Sequence, residues 1–187
     1  MERREFLWGT AALAVFGALS GRNAVAQTSG LKTAEELQKN WKLLLAENFK
    51  APLPTEPLKL SKDEWRKRLT PQQFEVLRDE GTERAGTSTL NAEKRAGVYV
   101  CAGCDLPVFT SEMKYESGTG WPSFFTTVPG AFNKRTDFKL LLPRTEYHCV
   151  RCGGHHGHVF EDGPKPTGQR WCNNGVALKF VPKTGKA

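Results

Sequence analysis

A chain of 187 residues is long enough for one packed domain with an appendage. With 25% charged and 39% hydrophobic residues, the composition is that of an ordinary soluble globular protein. Lysine and arginine outnumber aspartate and glutamate 27 to 20, but no compact basic stripe with interleaved aromatics accompanies the excess, which speaks for a mildly basic surface and against a nucleic-acid binder.

The first 26 residues read as an address. Arg3-Arg4 stands just before Phe6-Leu7, and Leu7 to Leu19 is a run of thirteen uncharged, mostly apolar residues. That run falls short of the roughly 20 a membrane-spanning helix needs. Ala24-Val25-Ala26 puts small residues where a signal peptidase cuts. The R-R-x-F-L layout resembles a twin-arginine signal. Residues 1–26 are therefore expected to be an export signal, with a monomeric mature chain beginning near Gln27 in the periplasm. No stable membrane insertion is expected after its removal, whereas an uncleaved signal would leave the chain anchored. Three basic and two acidic residues fall in this stretch, which leaves +6 on the remainder.

Residues 27–59 are expected to form a linker and an amphipathic helix. Thr33 and Glu36 make a capping-box pattern, followed by the apolar stripe Leu37, Trp41, Leu44 and Leu45. The proline-rich stretch 51–57 stops it. Ser61 and Glu64 repeat the box, with Leu60 and Trp65 as a hydrophobic staple. Thr70-Pro71 starts a third helix, with Pro at its first position, and Gly81 is expected to end it. Residues 82–96 look polar and turn-like.

From Gly97 onward the chain changes to short strands and turns. Two C-x-x-C pairs, Cys101/Cys104 and Cys149/Cys152, have the spacing of metal ligands and sit at strand ends beside small residues. Four thiolates with no open position suit a structural zinc ion and not a catalytic one. The 44 residues between the inner cysteines mean that such a site would tie two distant hairpins together. Cys172 has no such partner. It lies in Gly168-Gln169-Arg170-Trp171-Cys172-Asn173-Asn174, where an adjacent arginine would favour a nucleophilic thiolate. If residues 170–180 form one continuous strand, Arg170, Cys172, Asn174, Val176, Leu178 and Phe180 share a face, unless Gly175 bends it. Three histidines, His155, His156 and His158, cluster around Gly157, where acid–base work at neutral pH is the natural use for one of them. On a plain strand His156 and His158 would share a face; a bulge at Gly157 would break that parity. Trp121, after two glycines, can wall an apolar pocket.

Three motifs together resemble the methionine-R-sulfoxide reductases of the B type: G-x-G-W-P-S-F at Gly118 to Phe124, H-x-G-H-V-F-x-D-G-P at His155 to Pro164, and P-T-G-x-R-W-C-x-N at Pro166 to Asn174. With the cysteine pairs, the resemblance marks 60–181 as the catalytic domain and 182–187 as a basic tail. It implies a mainly β, tent-like fold of two antiparallel sheets with short N-terminal helices, and a zinc remote from the active site. It also implies reduction of the R epimer of methionine sulfoxide, in oxidised proteins or as the free amino acid. Carried onto this chain, Cys172 attacks the sulfoxide sulfur and becomes a sulfenic acid. His158, or else His155, supplies the proton, and Asn174 orients the oxygen or a water. Trp121 packs on the substrate methyl, Arg170 sits by the thiolate, and Asp162 orients a histidine or the arginine. Many relatives carry a second, resolving cysteine where this chain has Thr119, so an external thiol, small or thioredoxin-like, is expected to regenerate Cys172. A zinc-knuckle module for nucleic acid and a thiol peroxidase are the competing readings; the first leaves Cys172, Trp121 and the histidines idle.

Overall fold

Among the described residues, three capping boxes start three helices. The structure, a computed structural model, describes residues 33–138 and 143–184. The expected export signal and the last three residues of the expected basic tail lie outside the described residues. Thr33, Ser61 and Thr70 cap α1 (Ala34–Asn40), α2 (Lys62–Arg68) and α3 (Pro71–Asp79), each with its third helical residue reaching back to the cap. Each such cap stabilises its helix by about 1 kcal/mol. After α1 the chain tightens into a 3-10 turn at Trp41–Leu44, which buries Leu37 and Leu44 on successive turns. Gln38 Nε2 donates to Thr126 Oγ1 at 2.8 Å, and the Leu58 amide donates to the Arg151 carbonyl at 2.8 Å, so this stretch packs on the β-rich part of the chain. At the end of α3 the left-handed residue is Glu80, at φ 56°, and not Gly81; the Gly81 amide instead closes the cap on the Glu75 carbonyl. Among the described residues no helix is long and apolar enough to cross a membrane.

Among the described residues, nine short strands come after α3: β1 (Gly97–Cys101), β2 (Pro107–Thr110), β3 (Lys114–Tyr115), β4 (Ser123–Phe124), β5 (Phe132–Asp137), β6 (Arg144–Cys149), β7 (His155–Phe160), β8 (Arg170–Asn173) and β9 (Leu178–Pro182). They form two antiparallel sheets, ordered β2-β1-β9 and β3-β4-β8-β7-β6-β5. Phe124, Phe132, Tyr147 and Trp171 of the larger sheet meet Tyr99 and Phe109 of the smaller, with Phe109 and Phe124 stacked at 3.9 Å. Alternation then puts Glu146, His158 and Cys172 on the opposite face of the larger sheet, away from that aromatic core.

One expectation fails here. Residues 170–180 are not a continuous strand: β8 ends at Asn173, a 3-10 turn spans Gly175–Ala177, and β9 joins the other sheet. The amides of Gly175 and Val176 donate to the buried Glu83 carboxylate instead of to a ladder. The Cys172 face therefore does not run on into Leu178 and Phe180.

Candidate active site

The two C-x-x-C pairs converge from the ends of β1 and β6. In each, the amide of the residue after the second cysteine donates to the carbonyl of the first: Asp105 to Cys101 at 2.9 Å, Gly153 to Cys149 at 2.8 Å. Both residues are left-handed, at φ 63° and 69°, so the chain curls its two sulfurs to the same side. The Cys101–Cys152 and Cys104–Cys149 sulfurs lie 3.7 and 3.5 Å apart, and all four fall within 4.8 Å of one another. A tetrahedral ion with bonds of about 2.3 Å sets sulfur–sulfur edges of roughly 3.8 Å. The donor set and its spacing thus fit a closed zinc-type site. Hydrogen bonding to its sibling thiols, with burial behind it, pushes Cys101 well above the usual thiol range. Four thiolates cannot coexist there without a cation. Arg68, Arg151 and Arg78 tie the knuckles down by donating to the carbonyls of Gly103, Cys104 and Cys152.

Cys172 lies elsewhere, on β8, paired in register with His158 on β7 and Ser123 on β4. Gly157 lets β7 approach: a Cβ there would stand 2.0 Å from the Cys172 carbonyl oxygen. Thr82, Trp121, Arg144, His158, Cys172 and Asn174 line an open cavity of about 130 Å³. The register between β6 and β7 slips between Tyr147 and His148, leaving His156 as the extra residue. That bulge resolves the histidine parity. His155 and His158 share the Cys172 face, their rings 5.4 Å apart, while His156 turns into the core. Burial holds His156 neutral, its pKa lowered to about 3, with Nδ1 against Asn173 Oδ1 at 3.2 Å. His155 is also buried, with Nδ1 3.2 Å from Glu146 Oε2. His158 is the one at the cavity: its Nε2 donates to Asp137 Oδ2 at 2.8 Å, and the same oxygen accepts from Arg144 at 2.6 Å.

The SelR domain family matches residues 69–182. Similar proteins, each named peptide methionine sulfoxide reductase MsrB, occur in Leptospira interrogans (50% identical over 121 residues, 64% of this chain and 92% of the relative) and Methanosarcina barkeri (50% over 121 residues, 64% and 85%). One from Pseudomonas putida is 49% identical over 124 residues, 66% of this chain and 93% of the relative. The chain belongs to this family of B-type methionine-R-sulfoxide reductases.

Within that family frame, the electrostatics of this pocket depart from the simple sequence expectation. Arg170 does favour the Cys172 thiolate, but burial outweighs it and the thiol lies above its ordinary value. Burial likewise lowers His158, with the Asp137 hydrogen bond pulling the other way. Both groups are therefore neutral at rest. Asp162 grips Arg170 through two bonds of 2.8 Å and makes no contact with the histidines in this geometry; Arg170 also stacks on Phe160 at 4.3 Å. The Asn174 amide is engaged at both ends with backbone, accepting from the Glu83 amide at 2.9 Å and donating to the His156 carbonyl at 3.0 Å. Trp121 Nε1 donates to the Glu83 carbonyl at 3.1 Å.

Sequence reasoning missed Glu83, Asp137, Arg144 and Glu146. Asp137 is buried at the end of a strand whose four preceding residues are exposed, and Glu83 sits in a stretch that looks like plain turn. A buried carboxylate gives no local pattern; its partners are 92 and 93 positions away for Glu83. The one faint signal is the pair Asp137 and Arg144, opposite charges facing across a hairpin.

Proposed function

We propose that this protein reduces the R epimer of methionine sulfoxide, protein-bound or free, to methionine through a sulfenic acid on Cys172. The observation that carries the reading is the cross-strand pair Cys172–His158 opening on one cavity walled by Trp121. Because thiol and imidazole both start neutral, one proton does all the work. His158 takes it from the Cys172 thiol, and Asp137 stabilises the imidazolium through Nε2. The thiolate attacks the sulfoxide sulfur while the imidazolium gives the proton to the sulfoxide oxygen. The S–O bond breaks, the hydroxyl passes to Cys172, and methionine leaves; the step consumes no proton from solvent.

Trp121, held by Glu83, packs against the substrate methyl. Arg170, held by Asp162, keeps its charge beside the sulfur. Asn174 fixes the loop that shapes the cavity, and His155 stands behind His158 as the alternative proton source. Cys101, Cys104, Cys149 and Cys152 would hold one zinc ion, which stitches the end of β1 to the end of β6. An external thiol then attacks the sulfenic acid sulfur, forming an S–S bond and releasing water, and a second thiol frees Cys172. Thr119 cannot form an internal disulfide, and the remaining cysteines belong to the cluster.

The test is turnover of each sulfoxide epimer with dithiothreitol. The wild-type chain reduces the R epimer only, and Cys172→Ser is inactive; activity retained by that variant would rule the assignment out. Mass spectrometry of enzyme oxidised by substrate without thiol should find Cys172 sulfenic acid and no disulfide within the chain. The export signal in residues 1–26 puts this repair activity in the periplasm, and cell fractionation finding the protein only in the cytoplasm would overturn that placement.

A further inference from the structure

On the face of the larger sheet that carries Cys172, a second group of ligating side chains stands apart from the sulfur. β6 brings up Glu146 and His148, two positions apart and so on one face, and β7 sets His155 opposite His148 in register. Glu146 Oε1 is 3.1 Å from His148 Nε2, and Glu146 Oε2 is 3.2 Å from His155 Nδ1. One ligand atom from each residue falls within 4.8 Å of the other two, and all three side chains are buried. Alternation along β6 turns Cys149, the neighbour of His148, toward the other face, so the two groups of ligands do not share an ion.

Arg135 on β5 covers the group. It is the register partner of Glu146, its guanidinium lies 2.6 Å from His148 Nε2 and 3.1 Å from Nδ1, and its Nε stands 3.5 Å from Glu146 Oε1. A guanidinium only donates, so the shorter contact makes His148 Nε2 an acceptor. The ring hydrogen is then on Nδ1, 3.3 Å from the Gly153 carbonyl. That is the tautomer of a metal-bound imidazole whose other nitrogen is tied to a backbone carbonyl. It also leaves two acceptors, His148 Nε2 and Glu146 Oε1, facing each other at 3.1 Å. With no proton between them a cation must stand against both, and Arg135 is that cation. Its side chain is half-exposed and is also held by Glu80 at 3.1 Å, so it can withdraw along the surface without unpacking the core.

We propose that Glu146, His148 and His155 form a second metal site, for one divalent ion of the zinc type, which enters by displacing Arg135. Ligand bonds of about 2.0–2.2 Å set neighbouring ligand atoms roughly 2.9–3.5 Å apart, a range that includes both contacts to the Glu146 carboxylate. Two imidazoles and one carboxylate select a borderline first-row ion such as zinc, cobalt or nickel over magnesium or calcium, which take oxygen. Three protein ligands leave the position of the Arg135 guanidinium open to water or an added ligand, unlike the closed cysteine site. Neither Cys172 nor His158 is a ligand, so the site does not depend on the sulfoxide chemistry.

The experiment uses the full chain, with the metal already in its cysteine cluster counted, titrated with divalent cobalt and followed by metal analysis and visible absorption. The wild type should take up one further ion, with the weak bands of cobalt on nitrogen and oxygen and without sulfur-to-cobalt charge transfer. His148→Gln and Glu146→Gln should each weaken that uptake at least about tenfold and leave the first metal in place. Arg135→Ala should strengthen it several-fold, because the ion no longer competes with a guanidinium; an adventitious surface site would not respond. That variant changes only a half-exposed side chain, so it decides the matter even where a ligand variant fails to fold. Absence of a second ion from both the wild type and Arg135→Ala overturns the site, as does a second ion that His148→Gln and Glu146→Gln bind as tightly as the wild type.

Discussion

The protein holds sulfur in two settings: four thiols closed on one another and a fifth set apart beside a cavity. Cys101, Cys104, Cys149 and Cys152 are buried with one another as side-chain partners, and arginines bind only the carbonyls around them. Cys172 is half-buried, opens on a cavity, and is paired across the strands with His158. The first ties the end of β1 in the smaller sheet to the end of β6 in the larger, and the second lies on β7 and β8 of the larger sheet. What separates them is how negative charge can be met: the first site has a donor set that fits a cation, and the second pairs its thiol with a titratable imidazole across two strands.

Breaking the first site should have the largest effect. Cys149→Ser leaves an incomplete zinc shell, and the apparent metal-binding energy of a structural site, on the order of 10 kcal/mol, matches or exceeds the net stability of many domains. We expect loss of cooperative thermal unfolding and of stoichiometric zinc by metal analysis; a Cys149→Ser protein that melts like the wild type would show the cluster to be dispensable. Breaking the second site should spare the fold. His158→Ala is expected to lower kcat by about a hundredfold, the usual scale of acid–base assistance, with the melting temperature close to that of wild type.

The Glu83 carboxylate supports only the second site. Glu83→Ala strands the Gly175 and Val176 amides, at a cost of about 1–3 kcal/mol for each group left buried and unpaired. It should lower the melting temperature and raise KM more than it lowers kcat, because the segment whose backbone holds Trp121 and Asn174 loses its anchor to the Gly175 and Val176 amides; an unchanged KM would separate Glu83 from the pocket. The smallest effect is in the pH profile. Protonating His158 removes the base, and its pKa lies below the ordinary imidazole value, so the acidic limb should fall below about 6.5. Ionising Cys172 in advance removes the proton to be delivered, so the alkaline limb should lie above the ordinary thiol value of about 8.5. A narrow profile between those two values would show that the groups do not start neutral.

How much of this was legible in the residues depends on the distance over which each feature is specified. The helix starts were, because a cap and its reciprocal partner are three positions apart. The cysteine cluster and the motif around Cys172 were, because metal spacing and a nucleophile's neighbours are short-range patterns. Whether residues 170–180 run on as one strand or bend at Gly175 stays open in the sequence, because the residue that holds the bend, Glu83, lies 92 positions from Gly175.

By itself, then, the amino-acid order determined the family, the class of fold and the grouping of the four paired cysteines, all of which depend on residue type at close spacing. Only the folded chain decided that His158 shares the Cys172 face while His156 turns into the core, that Asp137 holds His158, and that burial raises the thiol above its ordinary value. Those outcomes depend on a strand bulge and on desolvation, and both are set by neighbours brought together from distant parts of the sequence.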